Sequence, residues 1–367
     1  MSDLVKFKIG VTEIKKIVSQ LEPMFKGGFD NLPRILFKLD DKITAYATNG
    51  ESYTQIKFEC EIESKGEFVI SGEKFSDIIK VATGDKVEFA TTEDNRLYIK
   101  AGRVSYRIPL IDTENSYLIA PETKDAKTFT ANAQELKNVI SSVSCCIDPA
   151  KAHLNCVMIH STEEEKNKIY VVATDGMRLG VSELKATTND VIPNLMIPKK
   201  AAEYIISIIG EMQGDIEIKY TENSVQVSTG SIFYTTKLLD TSFPKYRSVI
   251  PTNNNKILEA KVVDLKDTIK SIAKVSEVTF RIKMIITSDN INISCEDNGN
   301  DADANLEATY SDKSKLEVVC NYRLLLEILD KISSSLVRIQ FADANTPMLS
   351  RSVDNENVKY VFMPFVN

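Results

Sequence analysis

The chain has 367 residues, 43% of them hydrophobic and 26% charged, with no tryptophan and a formal net charge of −7. That length calls for two or three domains, and the composition is that of a soluble globular protein. The acidic balance excludes a surface that is a nucleic-acid patch throughout, while leaving room for a local basic stripe.

The first residues, MSDLVKFKIG, carry an amphipathic strand pattern and no secretory signal, and no apolar run approaches the ~18 residues of a membrane span. A cytoplasmic protein is expected. In FKIGVTEIKKIVSQL, from Phe7, a strand runs into a helix that buries Ile14, Ile17, Val18 and Leu21 and leaves Lys15 and Lys16 outside. Roughly sixty residues on, FVISGEKFSDIIKVA repeats the strand–helix order and leads into a series of β segments. The same sequence of elements returns at FTANAQELKNVISSV and LMIPKKAAEYIISII, and again at LEAKVVDLKDTIKSIAKV and LEVVCNYRLLLEILDKI. Polar, turn-rich linkers begin at Pro121 and Pro251. Three similar α+β domains are therefore expected, at 1–122, 123–252 and 253–367.

Within the second repeat, VVATDGMRLGVSEL reads as a β-hairpin turning tightly at Asp175-Gly176, with Met177 and Arg178 exposed at its tip. Lys199 and Lys200 follow Pro198 in the first turn of a helix, where the macrodipole disfavours cations, so their placement hints at use. In the third repeat Leu265, Ile269 and Ile272 form an apolar stripe, and Lys266, Lys270 and Lys274 line another face. A lysine face is usually just solvated. Aligned on one side of the repeats, these lysines would instead form a positive lining suited to phosphate contact without base reading. VSYRIPLI, from Val104, alternates and ends in a proline, which suits an edge strand in need of a partner. Tyr106 and Ile108 are interface candidates there, with Ile272 and Val275 opposite; for Ile272, packing inside its own domain is an equal alternative.

Catalytic constellations are missing. The two histidines, His153 and His160, have no carboxylate at metal-ligand spacing, and no GxGxxG, GxxxxGK[ST] or GxSxG occurs. Asp301, Asp303 and Asn305 match the first EF-hand ligand spacings, but Leu306 replaces the required glycine and Asp312 the terminal glutamate, so DNGNDADANLE reads as a solvated acidic loop. The six cysteines show no CxxC spacing and read as reduced, packed thiols. No cofactor, metal or catalysis is expected.

ATDGMRLGV from Ala173, IPKKA from Ile197, KLLDTSFPKYRSVIP from Lys237 and YVFMPF from Tyr360 resemble stretches of the bacterial sliding clamps, the beta subunits of the replicative DNA polymerase III holoenzyme. Together with the threefold repeat, the resemblance covers essentially the whole chain. It implies three clamp domains, each with two helices packed on β-sheets, and a head-to-tail homodimer closing into a six-domain ring around duplex DNA. Such a ring tethers the polymerase and is opened by a clamp loader. It also implies a groove for short motifs of the Gln-Leu-x-Leu-Phe kind, carried by polymerase, loader and repair proteins. Transferred by motif, the groove comprises Leu154, Thr174, Gly176, Met177, Arg178, Leu179, Pro244, Val249, Val361, Met363 and Pro364. The DNA-facing lysines would be Lys15, Lys16, Lys26, Lys199, Lys200, Lys266, Lys270 and Lys274. Met177 stands where the family commonly has a histidine or tyrosine, and Ser248 where an arginine often follows FP-x-YR. A scaffold of repeated domains that never encircles DNA is the alternative.

Overall fold

The computed structural model describes residues 4–25, 34–111, 118–120, 125–165, 168–188, 190–210 and 212–365. Each of the six helices among them begins where a strand ends: α1 (Val11–Leu21), α2 (Gly72–Lys80), α3 (Ala133–Val143), α4 (Lys199–Ile209), α5 (Val262–Ile272) and α6 (Tyr322–Leu329). Ser71 caps α2 by accepting the Lys74 N–H, and Asn321 caps α6 by accepting from Arg323 and Leu324. The apolar periodicity sets the buried faces. In α1 these are Val11, Ile14, Ile17, Val18 and Leu21; in α5 they are Val262, Leu265, Ile269 and Ile272. Each such side chain contributes ~1.5–3 kcal/mol on burial.

Packing divides the chain into two units that cut the middle repeat: residues 1–134 with 200–238, and residues 135–199 with 239–367. In the first unit, an antiparallel sheet runs in the order Glu61–Ser64, Lys6–Gly10, Lys86–Thr92, Arg96–Ala101 and Val104–Pro109. Phe7 and Phe89 stack in its core with ring centroids 4.5 Å apart. A second sheet joins first-repeat to second-repeat strands. Ile232–Lys237 pairs antiparallel with Ser52–Phe58, setting Tyr234 opposite Thr54.

The second unit has the same plan. One sheet runs Asn300–Glu307, Asn290–Asp297, Arg281–Ile286, Leu316–Asn321. In the other, Val358–Phe362 pairs with Arg178–Thr187, setting Tyr360 opposite Gly180. The middle repeat is thus divided because one of its strands pairs with the first repeat and another with the third.

Following register through both sheets makes Tyr234 and Tyr360 equivalent, each in the last strand of its repeat and each at a junction between repeats. The equivalence extends to the backbone: the Lys57 N–H donates to the Ser231 carbonyl (2.8 Å), and the Glu183 N–H to that of Asn357 (2.9 Å). At Gly180 a Cβ would lie 3.2 Å from Val143 Cα and from Cys146 Sγ.

The segment expected to be an acidic loop is a strand. Asp297 pairs with Asn300 around Asn298-Gly299, and Asn300–Glu307 alternates Ala302, Ala304 and Leu306 on its less exposed face with acidic and amide residues outward. The carboxylates are the solvent side of a period-2 pattern.

Candidate functional site

The hairpin tip differs from the expected two-residue turn. Thr174 pairs with Leu179 and the next strand starts at Arg178, so Asp175, Gly176 and Met177 form the loop. Asp175 builds it: Oδ1 accepts the N–H groups of Met177 and Arg178, both at 2.8 Å, and Gly176 takes φ +89°. The Thr174 hydroxyl, itself buried, donates to the Arg178 carbonyl at 2.7 Å.

Arg178 is buried, not exposed, because each nitrogen of its guanidinium finds a partner inside the protein. Nε meets Asp175 Oδ2 at 2.9 Å, one terminal nitrogen meets Glu327 Oε2 at 2.6 Å, and the other donates to the Leu324 carbonyl. The arginine therefore fastens the hairpin to α6.

Met177 is left outside, 46% exposed. Its carbonyl accepts the Met363 N–H at 3.0 Å, and Leu179 pairs with Val361, so the chain's last strand lies along the hairpin. Leu179 and Val361 belong to a buried apolar cluster with Cys156, Met158, Val172, Val181, Met196, Tyr246 and Leu349, against which Phe243 and Ile250 pack. Tyr246 begins the short turn Tyr246–Val249, its N–H bonded to the Pro244 carbonyl, which lifts Val249 out at 50% exposure. Met363 is 38% exposed and Pro364 buried. Leu154 is buried in the turn Ala152–Leu154, and Lys151 beside it donates to the Asp175 carbonyl.

Of the groove residues expected from sequence, the structure joins Leu179 and Val361 as floor. Met177, Val249 and Met363 are exposed apolar side chains on segments seated on that floor. Thr174 and Arg178 shape the hairpin instead of presenting a surface. Sequence reasoning missed Tyr246, Phe243 and the His160–Tyr246 pair beneath them, joined at 2.9 Å. The quoted FPKYR stretch held the signal for the first two. Burial pushes the His160 imidazole below its ordinary value, favouring the neutral ring.

Among the candidate DNA-facing residues, Lys16, Lys200, Lys270 and Lys274 are exposed and Lys15 and Lys199 half-buried. Lys266 is ion-paired with Asp330, so the three-lysine face expected in the third repeat reduces to Lys270 on α5 and Lys274 in the short turn Ala273–Val275 after it. Lys26 lies outside the described residues. Tyr106 and Ile108 sit half-buried on the outer strand Val104–Pro109. Ile272 is 4% exposed on the buried face of α5, which places it in its own repeat's core and corrects the interface expectation for it; Val275 is half-buried. Among the described residues, no helix is long and apolar enough to cross a membrane, and no group of His, Cys, Asp and Glu is arranged to hold a metal.

Comparison with known proteins assigns the architecture. The N-terminal, central and C-terminal domains of the DNA polymerase III beta subunit match residues 29–119, 130–245 and 247–366 respectively. The chain belongs to this family of sliding clamps. The beta sliding clamp of Rickettsia bellii is 25% identical over 374 residues, spanning 98% of this chain and 95% of the relative. In structure, a DnaN sliding clamp from Bartonella birtlesii bound to griselimycin superposes with a TM-score of 0.92 at 23% identity, over 99% of this chain and 100% of the other. A C. crescentus beta sliding clamp, with PEG bound to a region described as tethering the beta motif, gives 0.91 at 21% identity over the whole of both chains. The threefold repeat of strand–helix units in this clamp is therefore the three-domain clamp fold.

Proposed function

We propose that this clamp is a non-catalytic, cytoplasmic processivity subunit. It closes as a head-to-tail homodimer around duplex DNA and binds short linear motifs of polymerase, clamp loader and repair proteins over the Leu179–Val361 floor. The observation that carries the motif site is the set of three exposed apolar side chains, Met177, Val249 and Met363, held over one buried cluster by the hairpin, the Tyr246 turn and the last strand. A motif with spaced Leu and Phe anchors covers such a surface, and binding of this kind concentrates energy in a few anchors. The bound griselimycin and PEG of the solved relatives support small-ligand capture by clamps of this fold. The test is a fluorescence-anisotropy titration of a labelled Gln-Leu-x-Leu-Phe peptide. Met177→Ala with Met363→Ala, both at exposed side chains outside the core, should weaken binding about tenfold or more. Adding Leu179→Ala removes the floor as well. Unchanged affinity in a folded double variant would sink the site.

The dimer rests on the equivalent strands. Register through the first repeat places Tyr106 where Tyr234 and Tyr360 stand in the other two. Those tyrosines are buried opposite Thr54 and Gly180, whereas Tyr106 is half-exposed on an outer strand. The third-repeat counterpart of Thr54 and Gly180 is Ala302, on the outer strand Asn300–Glu307. Pairing Val104–Pro109 of one copy with Asn300–Glu307 of another repeats the internal junction between chains and covers both edges. Duplex DNA is then met by exposed lysines on the helices, foremost Lys16, Lys200, Lys270 and Lys274, with Lys15 and Lys199 beside them.

A further inference from the structure

Four of the six cysteines are held as thiols by burial. Burial pushes the Cys60 and Cys320 thiols up to about 12 and the Cys156 thiol up to about 11, and it raises Cys295 as well. Cys145 and Cys146 differ. They are adjacent in the short turn Ser144–Cys146 that continues α3, and their Sγ atoms lie 3.8 Å apart. Cys145 is half-buried; Cys146 is fully buried, its Sγ packed on the strand at Gly180. The hydrogen bond between the two thiols, then the positive charges of Arg178 and Lys331, hold Cys145 below its ordinary value, while the same bond and burial push Cys146 well above. A half-buried sulfur with a second, fully buried thiol in contact is the arrangement of an attacking and a resolving cysteine.

We propose that Cys145 and Cys146 form a hydroperoxide-responsive dithiol, with Cys145 attacking and Cys146 resolving. The Cys145 thiolate bonds to one peroxide oxygen, the O–O bond breaks, and the other oxygen leaves as hydroxide or alkoxide and takes up a proton. This oxidises Cys145 to the sulfenic acid and reduces the peroxide. The Cys146 sulfur then attacks the Cys145 sulfur. The S–S bond forms, the S–OH bond breaks, and the Cys146 proton leaves with that oxygen as water. The sulfurs must close from 3.8 Å to ~2.05 Å, which the present turn does not allow without rearranging. Cys146 Sγ is drawn off Gly180 in the process, so oxidation loosens the strand Arg178–Thr187 behind the hairpin.

The test treats the intact protein with hydrogen peroxide and maps the tryptic peptide 138–151, which holds these two cysteines and no other. The wild type should yield that peptide lighter by two hydrogens, at least about tenfold faster than any reaction at Cys60. Cys146→Ser should stop at a sulfenic acid on Cys145, trapped by dimedone, and Cys145→Ser should not react at this peptide. Amide exchange in residues 178–183 should rise in the oxidised wild type and stay unchanged in Cys146→Ser. No dimedone adduct in folded Cys146→Ser, or reaction no faster than at Cys60, overturns the assignment of the pair. A disulfide that forms without any change in exchange overturns its coupling to the hairpin.

Discussion

Single side chains here hold loops through backbone groups. Asp175 does so at the hairpin, and Asp297 does so more fully. Its Oδ2 accepts the N–H groups of Glu277 (2.8 Å), Val278 (2.8 Å) and Thr279 (3.0 Å), with the Ser276 and Thr279 hydroxyls also in reach. The Thr279 and Val278 amide bonds lead in holding the carboxyl down to about 2. The unfolded chain has an ordinary aspartate near ~3.9. The folded value is the lower one, so the stabilisation is complete above ~4 and is lost as pH falls through about 2. Asp297→Asn should therefore melt below wild type at neutral pH, and thermal scans should show that gap narrowing as pH is lowered from ~4 toward ~2. A gap independent of pH would mean the carboxylate's charge contributes nothing.

At the level of helices and strands, periodicity carried most of the information. Ile14, Ile17, Val18 and Leu21 are buried in α1 as the spacing indicates, and Leu265, Ile269 and Ile272 are buried in α5. The same rule at period 2 fits Asn300–Glu307, where Ala302, Ala304 and Leu306 alternate with acidic and amide residues that match calcium-ligand spacings as well as the solvent face of a strand. Arg178 was misread for another reason: its partners Glu327 and Leu324 lie some 150 residues away in sequence, beyond any local pattern. The Lys266–Asp330 pair was hidden in the same way. It sharpens the DNA prediction for α5 and the short turn after it, leaving Lys270 and Lys274 as the exposed candidates for phosphate contact. Reversing both to glutamate should reduce the slope of log affinity against log salt by about two for duplex DNA. Lys266→Ala should change it little. An unaltered slope in the double reversal, measured by equilibrium titration over a salt series, would remove α5 from the DNA-facing surface.

Taken as a whole chain, the three repeats use one joint in different settings. Tyr234 and Tyr360 occupy it within the chain, and truncating either to alanine should lower folding stability, by ~3–5 kcal/mol on the scale of large buried aromatics. Tyr106 occupies the equivalent position on an outer strand, so Tyr106→Lys with Ala302→Lys, which would set like charges opposite each other, should leave the fold intact and yield a monomer in sedimentation velocity. A persistent dimer would place the interface elsewhere.

The joints also differ in how their partners are supplied. Strands Ser52–Phe58 and Ile232–Lys237 belong to one polypeptide, as do Arg178–Thr187 and Val358–Phe362. Covalent tethering presents each to its mate at an effective concentration that dilution cannot lower, on the order of mM or above for linked segments. The joint proposed between Val104–Pro109 and Asn300–Glu307 of separate copies would have no such tether. Its occupancy would follow the protein's own concentration, so scarcity alone would part the assembly there while every repeat remained folded.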